Sequence, residues 1–287
     1  MAEHVTWREL WSSTADTVGD RTLARWLCET ASGCDAGEFD AELDAQVSTR
    51  CALHLESMVR RVLSGEPAQY VMGRWAFRHL DLMVDPRVLI PRPETELLVD
   101  HVLAFLSARV APHMVVDLGT GSGAVGLSLL HELPPGSAEV WLTDVSADAL
   151  HVARANAAGI GRPAAGARFA EGSWFDALPP DLHGRFTVVV SNPPYIAPDD
   201  PEVHDAVRRH EPHVALFSDD NGLRDIRIIA SQAPQWLEPG GMVIVEMGHL
   251  QADAVRAIFL DSGLVHVETH LDLAGRPRFT SGIARGE

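Results

Sequence analysis

Two short stretches carry residue types whose spacing implies chemistry. The first, Asp117-Leu118-Gly119-Thr120-Gly121-Ser122-Gly123, lies between an apolar run and a helical one. Glycines in such a loop let the backbone turn sharply and approach a ligand without a Cβ clash. The helix that follows offers unpaired N–H donors at its amino end. The second stretch, Asn192-Pro193-Pro194-Tyr195, ends the apolar run Val188-Val189-Val190. Two prolines cannot continue a central strand, so they fix a stiff loop at its carboxyl end. An Asn-Pro alone reads as a turn; the added aromatic ring and the place after a fourth strand make this one a candidate for holding a planar group.

The glycine loop suits two nucleotide cofactors. Gly121, Gly123 and Gly126 satisfy the G-x-G-x-x-G dinucleotide pattern, and Asp144 follows at the end of the next strand. Asp117 to Gly123 also fits completely the D-x-G-x-G-x-G form of enzymes that use S-adenosyl-L-methionine. A carboxylate at Asp144 serves either cofactor, since both offer ribose hydroxyls. The clamp-like second stretch decides for adenosylmethionine, and no partner for hydride transfer stands out. An amide or aromatic amine nitrogen is a poor nucleophile because its lone pair is delocalised. The Asn192 side-chain oxygen and the Pro193 carbonyl suit its two N–H groups as acceptors, orienting the nitrogen and stabilising positive charge as it develops. Tyr195 can pack on the planar group. The methyl on a sulfonium sulfur is already activated, so this chemistry asks for no metal and no covalent enzyme intermediate. The loop alone permits adenine or cytosine in DNA, or a glutamine side chain.

The elements that must position these loops follow from the apolar pattern. Thr6–Val18, Arg21–Thr30 and a longer stretch from about Glu38 to Leu63 carry helical spacing, the last with Leu53, Val59, Val62 and Leu63 on one side. From Val71 to Ile90 the period moves toward two, as in a hairpin, until Pro91-Arg92-Pro93 breaks it. From Met114 onward strands and helices alternate: strands at Met114–Leu118, Val140–Thr143, Thr187–Val190, Met242–Val245, Val265–His270 and Arg278–Ile283, and helices at Ala124–Leu133, Ala147–Ala158 and Leu223–Trp236. Such alternation implies α/β architecture with a mostly parallel, doubly wound sheet. The expected organisation is a small helical domain over residues 1–73, a β-hairpin connector and linker over 74–110, and a Rossmann-like class I methyltransferase domain over 111–287.

Bulk properties bound the partners. The 287 residues carry a net charge of −17, and every basic side chain other than histidine is arginine. Acidity of this size argues against unspecific grip on nucleic acid, which needs cations to displace counterions. A local basic face stays open, because Arg60, Arg61, Arg74, Arg78, Arg87 and Arg92 fall in one short stretch. No run approaches ~18 uninterrupted apolar residues, so no membrane span is expected. The first 25 residues carry Glu3, Glu9, Asp16 and Asp20, unlike a secretory signal, and a cytoplasmic protein is the expectation. Cys28, Cys34 and Cys51 form no C-x-x-C pair and read as free buried thiols. His204, His210 and His213 read as surface histidines rather than metal ligands.

Two long runs then narrow the acceptor. Gly65-Glu66-Pro67-Ala68-Gln69-Tyr70-Val71-Met72-Gly73 and Val88-Leu89-Ile90-Pro91-Arg92-Pro93-Glu94-Thr95-Glu96 resemble the release factor glutamine methyltransferases, the PrmC/HemK family. Agreement continues through Asp117–Gly123, Gly172-Ser173-Trp174-Phe175, Asn192–Tyr195, Glu211-Pro212, Glu246-Met247-Gly248 and Asp272-Leu273-Ala274-Gly275-Arg276. The resemblance implies methyl transfer to the glutamine of the Gly-Gly-Gln motif in class I peptide-chain release factors. It implies cofactor contacts at Gly119 to Gly123 (with Thr120, Gly121 and Ser122 between them), Asp144, Trp174 and Asn192. It places the glutamine clamp at Asn192, Pro193, Pro194 and Tyr195, and implies that Pro91 to Glu96 line the cofactor or substrate entrance. Residues 1 to about 60 follow the family pattern only weakly, and His79 stands near where the family often has glycine. A DNA adenine methyltransferase using the same clamp is the competing reading. That enzyme would carry a basic target-recognition region and flip its base into the pocket; the acidic chain and the lack of an inserted recognition domain count against it.

Overall fold

The computed structural model describes residues 5–286, which fall into two units, one ending at Arg74 and one beginning at Trp75. Unit one is helical: α1 Trp7–Val18, α2 Arg21–Ser32, α3 Ala36–Glu42, α4 Thr49–Leu63 and α5 Ala68–Met72. Side-chain caps set the starts of α1 to α4. Thr6 and Glu9 form a reciprocal capping box on α1, Asp20 accepts from Thr22 and Leu23 at the start of α2, and Ser48 accepts from Cys51 on α4. Trp7, Leu27, Cys28, Phe39, Leu55 and Met58 fill its core.

Here the structure corrects three sequence expectations. The stretch Glu38–Leu63 is two helices, because α3 ends at Glu42 and Ser48 caps a new one. The intervening residues are held by an Arg8–Asp44 ion pair and a Thr6–Gln46 bridge. The inner face of α4 is Leu55 and Met58, whereas Leu53 and Leu63 are exposed. Of the three cysteines only Cys28 is buried, with Cys34 and Cys51 half-buried; all are free thiols. Val71 lies in α5 rather than in a strand: the helix stops at Gly73, and only β1 Arg74–Phe77 and β2 Leu80–Met83 pair as the hairpin.

Unit two then runs α6 Glu96–Ser107, β3 His113–Leu118, α7 Ala124–Glu132, β4 Ala138–Asp144, α8 Ala147–Ile160, β5 Ala167–Glu171, β6 Phe186–Ser191, α9 Asp205–His210, α10 Arg224–Trp236, β7 Leu237–Glu246, α11 Ala252–Asp261, β8 Val265–Leu271 and β9 Pro277–Ile283. The seven-stranded sheet has the order β5-β4-β3-β6-β7-β9-β8. All pairs are parallel except β7–β9 and β8–β9. Neighbouring residues of one strand serve opposite faces. Val115, Val188, Val190 and Ile244 face one core with Leu98, Val102 and Leu127. Val116, Val189, Val243 and Val245 face another with Ile226, Ile229, Val255 and Phe259. Helices on both faces explain why these strands read as continuous apolar runs.

Helix α6 escapes the sequence pattern because Pro91 and Pro93 read as breakers. Pro93 instead opens a 3-10 turn, Pro93–Thr95, that leads straight into the helix. Proline at a first helical position is tolerated, since its missing N–H would have no partner there. Five of the clustered arginines form ion pairs: Arg60 with Glu56, Arg61 with Glu66, Arg78 with Glu132 and Asp100, Arg87 with Asp85, and Arg92 with Glu211.

One backbone contact supports the loop after β6. Gly222 has φ +82°, and a Cβ built there would stand 2.0 Å from the Tyr195 carbonyl oxygen. Gly222→Ala is expected to destabilise the chain by about 1–3 kcal/mol, from the left-handed backbone alone. Urea unfolding checks this, and an unchanged midpoint would contradict it.

Candidate active site

Strand β3 carries the glycine loop and its neighbour β6 carries Asn192 to Tyr195. Their parallel register pairs Leu118 with Ser191, so both loops leave the sheet side by side. The Ser191 hydroxyl donates to the Leu118 carbonyl at 2.7 Å, tying the two strand ends together. From β3 the chain moves outward to β4 and β5, then returns on the other side to β6 and β7. The two loops therefore flank the switch point of the sheet, where open α/β sheets bind ligands.

Two carboxylates, Asp117 buried and Asp144 half-buried, shape the glycine loop. Asp117, 2% exposed, accepts from the Thr120 hydroxyl at 2.6 Å and the Gly126 amide at 3.0 Å. Burial pushes its carboxyl up to about 6, against the pull of those two donors. Asp144, at the end of β4, accepts from the Gly121 amide at 2.9 Å and the Ser146 amide at 2.9 Å. Burial raises its pKa also, again against hydrogen bonds from Ser146 and Gly121. Gly119 and Gly121 both adopt positive φ, +70° and +56°. A Cβ at Gly121 would meet nothing within 4 Å, so this backbone fronts open space.

That space is a cavity of about 270 Å³. Gly119, Gly121, Asp144, Trp174, Asn192 and Pro194 line it, whereas Thr120, Ser122 and Gly123 are buried beneath the loop and do not. Trp174 opens a 3-10 turn after β5 with φ +49°, and its indole N–H donates to Asp225 at 3.2 Å. Asp225 is itself held by the Ser218 hydroxyl at 2.6 Å. The indole lies over the loop, 3.4 Å from where a Gly119 Cβ would stand. A half-buried ring fixed in this way walls the cavity while its other side packs against the core.

A second cavity, about 370 Å³, also borders Asn192. It is lined by Asn192, Pro193, Tyr195, Leu89, Arg92 and Leu216, among others. Arg92 is anchored: its guanidinium donates to the buried Glu211 at 2.6 Å, and the Ile90 amide donates to the same carboxylate at 3.2 Å. Asn192 borders both spaces. Its Nδ2 donates to the Thr95 hydroxyl at 3.2 Å, and Thr95 donates to Glu246 at 2.6 Å. The Tyr195 hydroxyl donates to the other oxygen of Glu246 at 3.1 Å. Glu246 is 1% exposed, and burial raises its pKa, opposed by the Thr95 and Tyr195 hydrogen bonds. Burial also pushes the Tyr195 phenol far up, so it stays protonated. From below, Gln251 Nε2 donates to the Tyr195 and Asn221 carbonyls, both at 3.0 Å.

The sequence gives Asp225 and Glu246 no role, and it gives Thr95 only a place within the entrance segment Pro91–Glu96. For Glu246 a signal exists: an acidic residue directly ends the buried run Met242–Val245, and such a carboxylate must find partners. His210 departs from the surface reading, being half-buried with a buried Nε2, while His204 caps α9 and His213 is exposed. Among the described residues, no group of three or more His, Cys, Asp or Glu side chains is placed to hold a metal ion. No described helix is long and apolar enough to cross a membrane.

Known proteins place the chain. Residues 93–209 match the methyltransferase small domain, and residues 13–73 match the PrmC N-terminal domain. The release factor glutamine methyltransferase of Xylella fastidiosa (strain Temecula1) is 40% identical over 267 residues, covering 93% of this chain and 94% of that protein. The protein of the same name from Bordetella pertussis (strain Tohama I) is 44% identical over 268 residues, covering 93% and 96%. Among solved structures, a methyltransferase from Pyrococcus furiosus matches 80% of this chain and 99% of its own with a TM-score of 0.52; at 16% identity this is a likeness of fold. Fold, paired loops and relatives agree: the chain belongs to the release factor glutamine methyltransferases.

Proposed function

We propose that this chain transfers a methyl group from S-adenosyl-L-methionine to the side-chain amide nitrogen of the glutamine in the Gly-Gly-Gln motif of class I release factors, acting in the cytoplasm on translation termination. The observation that carries this reading is the place of Asn192, which borders both cavities at the switch point. The residues around the first cavity suit the cofactor. A glycine backbone forms its floor at Gly119 and Gly121, Asp144 supplies acceptors for ribose hydroxyls, and Trp174 offers a face for the adenine. Thr120, Ser122 and Gly123 support this loop from beneath. Bound there, the cofactor supplies a methyl group already activated by its sulfonium sulfur.

The protein's own work falls on the acceptor. Asn192 Oδ1 and the Pro193 carbonyl accept hydrogen bonds from the two N–H bonds of the glutamine amide. They hold its nitrogen toward the first cavity and stabilise the positive charge that grows on it. Pro193 and Pro194 keep these acceptors from relaxing, and the Tyr195 ring packs on the planar amide. The helical unit, residues 1–73, recognises the body of the release factor, with residues 74–110 as its connector. No stable contact with nucleic acid or membrane belongs to this reading.

Three outcomes test it. Incubated separately with release factor and DNA in the presence of labelled adenosylmethionine, the protein labels the glutamine of a Gly-Gly-Gln peptide; label found only on DNA would overturn the assignment. Asn192→Ala lowers turnover roughly 100-fold or more, the scale of losing one preorganised transition-state contact. Calorimetry on the same variant still detects cofactor binding, and wild-type turnover would remove Asn192 from the clamp. Asp144→Ala weakens cofactor binding by about tenfold, equal to about 1.4 kcal/mol. A dissociation constant that does not move would detach Asp144 from the cofactor.

A further inference from the structure

An asparagine amide is nearly symmetric in shape, so its oxygen and nitrogen exchange places by a half-turn with little steric consequence. For the chemistry above only one orientation works. The oxygen must face the glutamine N–H groups; the reversed amide would present N–H to N–H. Something must hold the productive orientation.

Proton counting along the chain of contacts behind Asn192 identifies it. Glu246, enclosed at the end of β7, only accepts in its ionised form. Its Oε1 takes the Tyr195 hydroxyl and its Oε2 takes the Thr95 hydroxyl. Threonine has a single hydroxyl proton, so once it is given to Glu246 the Thr95 oxygen offers nothing but lone pairs. Whatever group of Asn192 faces Thr95 must then be a donor. Nδ2 is that group, at 3.2 Å, and Oδ1 is thereby turned the other way. The same carboxylate holds Tyr195, so one buried side chain orders both side chains of the clamp.

We infer that Glu246 and Thr95 are positioning residues that lock the Asn192 amide with its oxygen toward the acceptor nitrogen, an inference that rests on the clamp reading of Asn192. A plainly structural alternative exists, in which this network only ties β7, the turn before α6 and the clamp loop together. The two differ in which substitutions matter. Thr95→Ser keeps the relay and loses a methyl group. Thr95→Val keeps the shape and loses the relay, leaving Asn192 Nδ2 without an acceptor. Glu246→Gln reverses the relay: if the new carbonyl stays on Tyr195, its NH2 faces Thr95 and sends the threonine proton back toward Asn192.

The experiment measures kcat and KM for release factor, and cofactor affinity by calorimetry, in the full-length wild type and in Thr95→Val, Thr95→Ser, Glu246→Gln and Asn192→Ala. Thr95→Val is expected to lower kcat by roughly 10–100-fold while KM and cofactor affinity stay within about twofold, the pattern of an interaction felt only in the transition state. Thr95→Ser restores turnover close to wild type, and Glu246→Gln loses at least as much as Thr95→Val. Two results overturn the inference while leaving the clamp intact, provided that Asn192→Ala is inactive. One is wild-type turnover in Thr95→Val. The other is an equal loss in Thr95→Ser and Thr95→Val accompanied by equal falls in melting temperature. Full activity in Asn192→Ala overturns the clamp reading itself, and the relay with it.

Discussion

The parallel pairing of β3 with β6, in the register that sets Leu118 beside Ser191, is the constraint on which the site depends. The glycine loop begins one residue after Leu118, and the clamp begins one residue after Ser191. A slip of one residue in that register would turn every side chain of β6 to the opposite face and exchange its two cores. Val188 and Val190 belong to one core and Val189 to the other, so such a slip is strongly disfavoured. The distance between the glycine loop and the Asn192–Tyr195 loop is thus set by apolar packing on both faces of the sheet, well away from the polar atoms of the two loops.

Around this frame, carboxylates that are buried or half-buried act as local organisers. Asp117 gathers the Thr120 hydroxyl and Gly126 amide, Asp144 gathers two backbone amides, Glu211 gathers Arg92 and the Ile90 amide, and Glu246 gathers Thr95 and Tyr195. Each acceptor-only group defines the direction of the donors around it, which hydroxyls and amides alone would leave open. Desolvation makes ionised groups costly in such places unless they are well hydrogen-bonded. Their density around the two cavities is consistent with a site that trades some stability for fixed orientation.

Much of this arrangement was legible in the chain. Strands buried on both faces announce themselves as apolar runs, and glycine or proline punctuation marks where they end, so the limits of β3, β4 and β6 lie close to those the sequence implies, whereas β7 starts at Leu237, ahead of its apolar run, because Glu238-Pro239-Gly240-Gly241 reads as a turn. The resemblance of the two runs before Glu96 then separated glutamine from DNA bases as acceptor, which spacing alone left open. What escaped was set by long-range contact. Thr95 and Glu246 are 151 positions apart, and no local pattern joins them. Helix α6 was hidden because Pro93 reads as a breaker when it in fact begins a turn. The long helix expected up to Leu63 was broken by a new cap at Ser48, a local signal outweighed by the continuing periodicity.

The central claim is that the Asn192 oxygen faces the nitrogen to be methylated. The most direct measurement is a neutron structure of the protein with demethylated cofactor and a Gly-Gly-Gln peptide, in which amide deuterons locate oxygen and nitrogen without inference. In such a structure Asn192 Oδ1 accepts from the glutamine amide, its own Nδ2 donates to Thr95, and the Thr95 deuteron points to Glu246. A glutamine bound away from Asn192, or an Asn192 amide turned with Nδ2 toward the substrate, would contradict it.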